Sequence, residues 1–169
     1  KRSGFEMFAM SHFFSQWGAN YTPKIVAYNG RIPNARIFLW TRADHEVYLA
    51  MLKKLLPQLL QLLREEGLAG KCYFSISDEP ATEHLESYSY AVNAVRPLLE
   101  DFPTIEALSD LTYFEKDLVR NPVPAINHIE PFVGKVKELW TYYCVAQDYL
   151  VPNRFMAMPS ARNRIFGVL

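Results

Sequence analysis

The chain has 169 residues, half of them apolar, and its 18 Lys plus Arg are matched by 18 Asp plus Glu. That is enough for one domain with an ordinary core, and the balanced charge creates no field to draw nucleic acid or an anionic membrane, so neither is an expected partner. No apolar run reaches membrane length and no signal peptide is visible, and Cys72 and Cys144 form neither a disulfide framework nor a metal motif; two buried thiols, no metal or cofactor, and a cytoplasmic location are the expectations.

The first strand-like run is GFEMFAMSHFF, with its strand expected over 5–12. A long insert follows, residues 15 to 43, in which KIVAY and RIFLW can pair as a hairpin around Asn29-Gly30. Asp44 is a plausible N-cap for the helical stretch DHEVYLAMLKKLLPQLLQLLREEGL, which Pro57 should kink and Gly67 should end. Then comes the strand CYFSIS, followed by a helix that Thr82 can cap and that Pro97 bends or shortens. Further strands are expected at 104–109, 123–127 and 139–144, separated by short helical candidates at 112–119 and 130–138. Another helix is expected to begin near Ser160. Alternating strands and helices argue for a parallel sheet with crossover helices.

Polar residues gather at the C-terminal ends of these strands: Ser11 and His12, Asp78 and Glu79, Ser109 and Asp110, Asn127 and His128, Tyr142 and Tyr143. Parallel β/α folds build their sites at that edge. Within CYFSIS, Cys72, Phe74 and Ile76 share the face suited to lie under helices, and Tyr73, Ser75 and Ser77 share the other. Continued alternation points Glu79 inward and leaves Asp78 to the side. Two adjacent carboxylates before Pro80 are more than a turn needs, since one Asx residue caps it. Helix capping by either is the competing reading.

The segments SHFFSQWGANYTPKI, YFSISDEP, NPVPAINHIEPF, LWTYYC and VPNRFMAMPSARNRI together resemble the catalytic domain of glycoside hydrolase family 123, also labelled DUF4091, of bacterial proteins. The resemblance runs along nearly the whole chain. It implies a (β/α)8 barrel of TIM type with the Asp-Glu pair after the fourth strand. The reaction it implies is release of terminal N-acetyl-β-D-galactosamine. On that likeness residues 1–169 carry about the third to seventh strands, an incomplete barrel and a piece of a larger protein. Missing segments or a partner chain are then expected to cover the edge strands.

Adjacent carboxylates cannot easily straddle a sugar as acid and nucleophile about 5 Å apart. They suit substrate-assisted hydrolysis, in which the 2-acetamido oxygen attacks the anomeric carbon. Glu79 is then the acid and later the base, and Asp78 holds the acetamido N–H. Their mutual repulsion favours keeping the acid protonated. A phenol on the acetamido carbonyl completes the set: Tyr142 or Tyr143, with Tyr143 preferred if Trp140 packs outward. Trp17 and Trp40 are candidate sugar platforms, and His12, Asn127 and His128 candidate hydroxyl ligands. Arg154, Arg162 and Arg164 read as partners of strand-end carboxylates such as Asp110. A non-catalytic carbohydrate-binding barrel, or a metal-dependent hydrolase using His12, Asp78, Glu79, Asp110 and His128, are the alternatives.

Overall fold

A computed structural model describes residues 4, 6–28, 30–32, 35–38 and 40–142, with backbone alone at 35 and 36. Tyr143, Cys144, the three arginines at 154, 162 and 164, and the helix expected near Ser160 lie outside the described residues.

The strands are β1 (Phe8–Ala9), β2 (Ile25–Ala27), β3 (Ala35–Phe38), β4 (Cys72–Tyr73), β5 (Glu106–Ala107) and β6 (Pro122–Val123), and the helices are α1 (Glu46–Glu65), α2 (Leu85–Leu99) and α3 (Thr112–Glu115). β1 pairs parallel with β4, and Phe74 bridges parallel to Thr104 just before β5. β5 pairs parallel with β6, and Ala125 bridges parallel to Tyr142. Five chain segments therefore lie side by side in sequence order, each parallel to the next. The regular ladders are short, yet the chain past β1 keeps following β4: the N–H groups of Met10, Phe13 and Phe14 donate to the carbonyls of Tyr73, Ser75 and Ile76.

The core sits between these segments and the two long helices. α1 buries Tyr48, Leu52, Leu56, Leu60 and Leu63 at helical spacing, and α2 buries Tyr88, Ala91, Val92, Val95 and Leu99. Cys72, Phe74 and Ile76 are fully buried beneath them, as the alternation of the strand requires. α1 runs through Pro57, which faces solvent, so the carbonyl it leaves unpaired can meet water.

Three local expectations are corrected. Asp44 does not cap α1, which starts after His45 without a side-chain cap; the Asp44 carboxylate is taken by Arg42 at 2.9 Å. Thr82 does not cap α2, because a 3-10 turn over Thr82–His84 precedes the helix and the Thr82 hydroxyl donates to Asp110 at 2.8 Å. The helical candidates at 112–119 and 130–138 shrink to the four residues of α3 and a 3-10 turn at Glu130–Phe132, where Pro131 and Gly134 break the pattern. The expected hairpin forms between β2 and β3, with Ala27 opposite Ala35.

Candidate active site

The strand that starts at β4 leaves regular geometry at the residues of interest. Glu79 has φ 45°, in the left-handed region that non-glycine residues rarely occupy, and Pro80 behind it is buried. Backbone strain of this kind persists only where the surroundings hold it, and here they do. Ser77 donates to the Ser15 carbonyl at 2.7 Å, and the Trp17 N–H donates to the Asp78 carbonyl at 2.8 Å. The turn carrying Trp17 is clamped from its other side by α2: Gly18, with φ 98°, packs so closely on His84 that a Cβ would overlap the ring, and Ser87 donates to the Gly18 carbonyl. Trp17 itself has φ 56° and leaves its indole 61% exposed beside the Asp78 backbone.

The Tyr142 hydroxyl donates to Glu79 Oε1 at 2.7 Å, tying the last described strand segment to the fourth. Its inward direction agrees with Trp140, whose ring lies 5.7 Å from Tyr73 on the Ser75–Ser77 face. Trp140 thus packs inward, and the condition that favoured Tyr143 is not met. Glu79, Tyr142, Asp110, Ser109 and His128 line one open cleft of about 310 Å³. Four of the five polar strand ends noted in the sequence thus meet there. Asn127 is exposed and is not among the residues lining the cleft. Trp40, 61% exposed, packs edge-on to Tyr21 at 6.2 Å and is also absent from the lining. His12 hydrogen-bonds the Phe14 carbonyl through Nδ1 and acts on Asp78 electrostatically.

Partial burial, and then the charge of Glu79, push the Asp78 carboxyl above its ordinary range, with His12 opposing. Adjacency thus adds to the upward shift that burial imposes on Asp78. Burial also pushes Asp110 upward, but hydrogen bonds from the Thr112 N–H and the Thr82 hydroxyl outweigh it and hold that carboxyl below its usual range. Among the described residues, no group of three or more His, Cys, Asp or Glu is arranged to hold a metal ion.

One buried group gave no signal in the sequence. Glu106, on β5, is 2% exposed and reaches back to the fourth segment, where Oε1 accepts the Ile76 N–H and Oε2 lies 3.1 Å from Ser75 Oγ. Burial pushes its carboxyl up to about 8. A glutamate amid TIEALS reads simply as an interrupted apolar strand.

Comparison with protein-family models matches residues 1–169 to the catalytic domain of glycoside hydrolase 123. Comparison with curated proteins gave no match. Among solved structures, one similar chain is a family 123 glycoside hydrolase from Clostridium perfringens whose structural analysis concerns glycolipid glycan hydrolysis; identity is 16%, the TM-score is 0.50, and the match covers 72% of this chain and 23% of that one. That likeness is one of fold, and this chain spans about a quarter of that protein's length.

Proposed function

Since the chain belongs to the glycoside hydrolase 123 catalytic-domain family, we propose that it carries the acid and acetamido-binding carboxylates of a glycosidase that releases terminal 2-acetamido-2-deoxy sugars, N-acetyl-β-D-galactosamine foremost. The parallel segments, each beside its chain neighbour, are on this reading an arc of a (β/α)8 barrel, its third to seventh strands. The observation that carries the functional reading is the Asp78-Glu79 step itself. It is held out of strand geometry at the sheet's C-terminal edge, with one carboxylate in a cleft and bound by a phenol.

The chemistry follows from that placement. The acetamido oxygen of the substrate attacks C1 as Glu79 protonates the departing oxygen, giving a cyclic oxazolinium. Water then opens it with Glu79 as base, and configuration is retained. The Tyr142 hydroxyl on Glu79 Oε1 leaves Oε2 to carry the proton and fixes its direction. Asp78 accepts the acetamido N–H, and that donated hydrogen bond returns its raised carboxyl toward the ionised form when sugar is bound. Trp17, whose backbone N–H bonds the Asp78 carbonyl, is exposed, and its indole offers a flat apolar face to the sugar ring.

The test is turnover by the full-length protein of aryl 2-acetamido-2-deoxy-β-galactoside, its gluco counterpart and the plain 2-hydroxyl β-galactoside. The first is expected to be cleaved and the third to be nearly inert. Efficient cleavage of the 2-hydroxyl sugar, or no cleavage of any 2-acetamido sugar, would overturn the reading.

A further inference from the structure

The parallel ladder between the fourth segment and β5 stops one residue pair after it begins. Phe74 bonds on both sides of Thr104, its N–H to the Pro103 carbonyl at 2.9 Å and its carbonyl to the Ile105 N–H at 2.8 Å. Continued in register, the Ile76 N–H would next reach the Ile105 carbonyl. It goes instead to the Glu106 side chain. On its other edge the backbone around Glu106 remains bonded to the β6 side, where the Glu106 N–H donates to the Asn121 carbonyl at 3.3 Å. The carboxyl therefore fills the gap where the two segments part, two residues before Asp78.

The hydrogen-bond geometry accommodates a protonated carboxyl. Ser75 has one hydroxyl proton, and its Oγ lies 2.7 Å from the Ser77 carbonyl and 3.1 Å from Glu106 Oε2. The carbonyl is the nearer of the two acceptors, and the Ser75 proton is assigned to it. The contact with Oε2 is then a hydrogen bond only if Glu106 supplies the proton. Among the described residues the groups that act on the Glu106 carboxyl are Ser75, the Ile76 and Ser77 backbone and, from α2, Tyr88, none of them a cation. The Tyr88 hydroxyl faces the carboxyl and opposes its upward shift as a donor would, without closing a hydrogen bond of ordinary geometry; the Tyr88 and Tyr113 ring centroids lie 5.1 Å apart. With the described residues alone, an ionised carboxylate here is buried without a cation, whereas a carboxylic acid completes an unbroken chain from Glu106 Oε2–H to Ser75 and from Ser75 to the Ser77 carbonyl.

We propose that Glu106, as a neutral carboxylic acid, is a positioning residue for the Asp78-Glu79 step: it substitutes for the interstrand ladder at Ile76 and fixes the Ser77 carbonyl, so that the chain leaves the sheet at the angle that presents both carboxylates. It does not touch substrate. The inference rests on the functional reading above for its effect on turnover, and on the hydrogen bonds alone for its effect on the backbone.

Glu106→Gln and Glu106→Leu in the full-length protein test it. The amide of Gln keeps both bonds, its Oε1 accepting from Ile76 and its Nε2 donating to Ser75, while Leu fills the volume and keeps neither. Two readouts are taken: hydrogen exchange of the peptide covering residues 75–79, and kcat and KM on aryl 2-acetamido-2-deoxy-β-galactoside. Glu106→Gln is expected to match wild type in kcat and KM at neutral pH and to exchange more slowly there, since opening lets the side chain ionise in wild type and not in the variant. Glu106→Leu should exchange about tenfold faster there and lose roughly tenfold to a hundredfold in kcat with little change in KM, as misplacement of catalytic groups does. From about pH 5 toward pH 8 the wild-type peptide should exchange progressively faster than the Gln variant at the same pH, because opening releases a carboxyl that ionises only in wild type. A Gln variant as impaired as Leu, a Leu variant identical to wild type, or coincident wild-type and Gln exchange at every pH would overturn the proposal. The last comparison decides the matter even if Glu106→Leu does not fold. If wild type cleaves no 2-acetamido sugar, the functional reading fails while exchange still tests Glu106.

Discussion

Replacing Glu106 with Gln should raise stability, by an amount that depends on pH. Burial lifts the Glu106 carboxyl from 4.5 to about 8 in the folded protein. For an acid raised on folding, the stabilising preference for the protonated form is complete below the unfolded value, is lost progressively as pH rises, and is gone above the folded value. At pH 7 the chain stands 2.5 units above 4.5, and at 1.36 kcal/mol per unit the loss is about 3 kcal/mol. It is about 4 kcal/mol at pH 8 and levels off at about 5 kcal/mol well above that pH. The side chain is 2% exposed, so solvent screening takes little from these figures. Gln forms the same two hydrogen bonds and carries no proton equilibrium. Denaturant midpoints of wild type and Glu106→Gln should therefore coincide near pH 4.5 and separate steadily toward pH 8, with the variant the more stable. A variant less stable than wild type at pH 7, or a difference independent of pH, would refute both the neutral carboxyl and the geometry argued from it. The buried acid is thus held at a cost in stability, as positioned groups at functional sites often are.

Tyr142→Phe removes one hydroxyl from Glu79 Oε1 and little packing; kcat should fall roughly tenfold with stability within about 0.5 kcal/mol, measured by steady-state kinetics and thermal unfolding. Gly18→Ala places a Cβ into the His84 ring at φ 98° and should destabilise by about 1–3 kcal/mol or more, read from denaturant midpoints; a neutral result would contradict the clamped turn. Glu79→Gln removes a neighbouring negative charge from Asp78, so the Asp78 carboxyl should titrate at lower pH in that variant than in wild type, a shift visible by side-chain NMR.

The periodic elements were open to sequence reading because burial alone sets them. Leu52, Leu56 and Leu60 mark α1, and Cys72, Phe74 and Ile76 mark the covered face of the fourth segment. What failed was local and competitive. Asp44 and Thr82 are good caps in isolation, but Arg42 and Asp110 offered them other partners, and no single-sequence rule ranks those choices. The Asp78-Glu79 step was visible as two like charges before a proline, and Tyr142 was visible only as one of two adjacent phenols. Parity chose between them once Trp140 was seen against Tyr73. Glu106 was hidden because its partner is a backbone N–H thirty residues away, and a strand-position carboxyl carries no pattern of its own.

The division of labour between the two carboxylates is the central claim, and a leaving-group series measured in the full-length protein tests it most directly. Glu79→Gln should lose turnover of 2-acetamido sugars with poor leaving groups while sparing much of the turnover of activated aryl glycosides, which need little acid assistance. Asp78→Asn should slow both classes alike, by roughly a hundredfold or more, because it damages formation of the cyclic intermediate itself. Unaltered kinetics in Asp78→Asn, or equal losses in Glu79→Gln whatever the leaving group, would contradict the account.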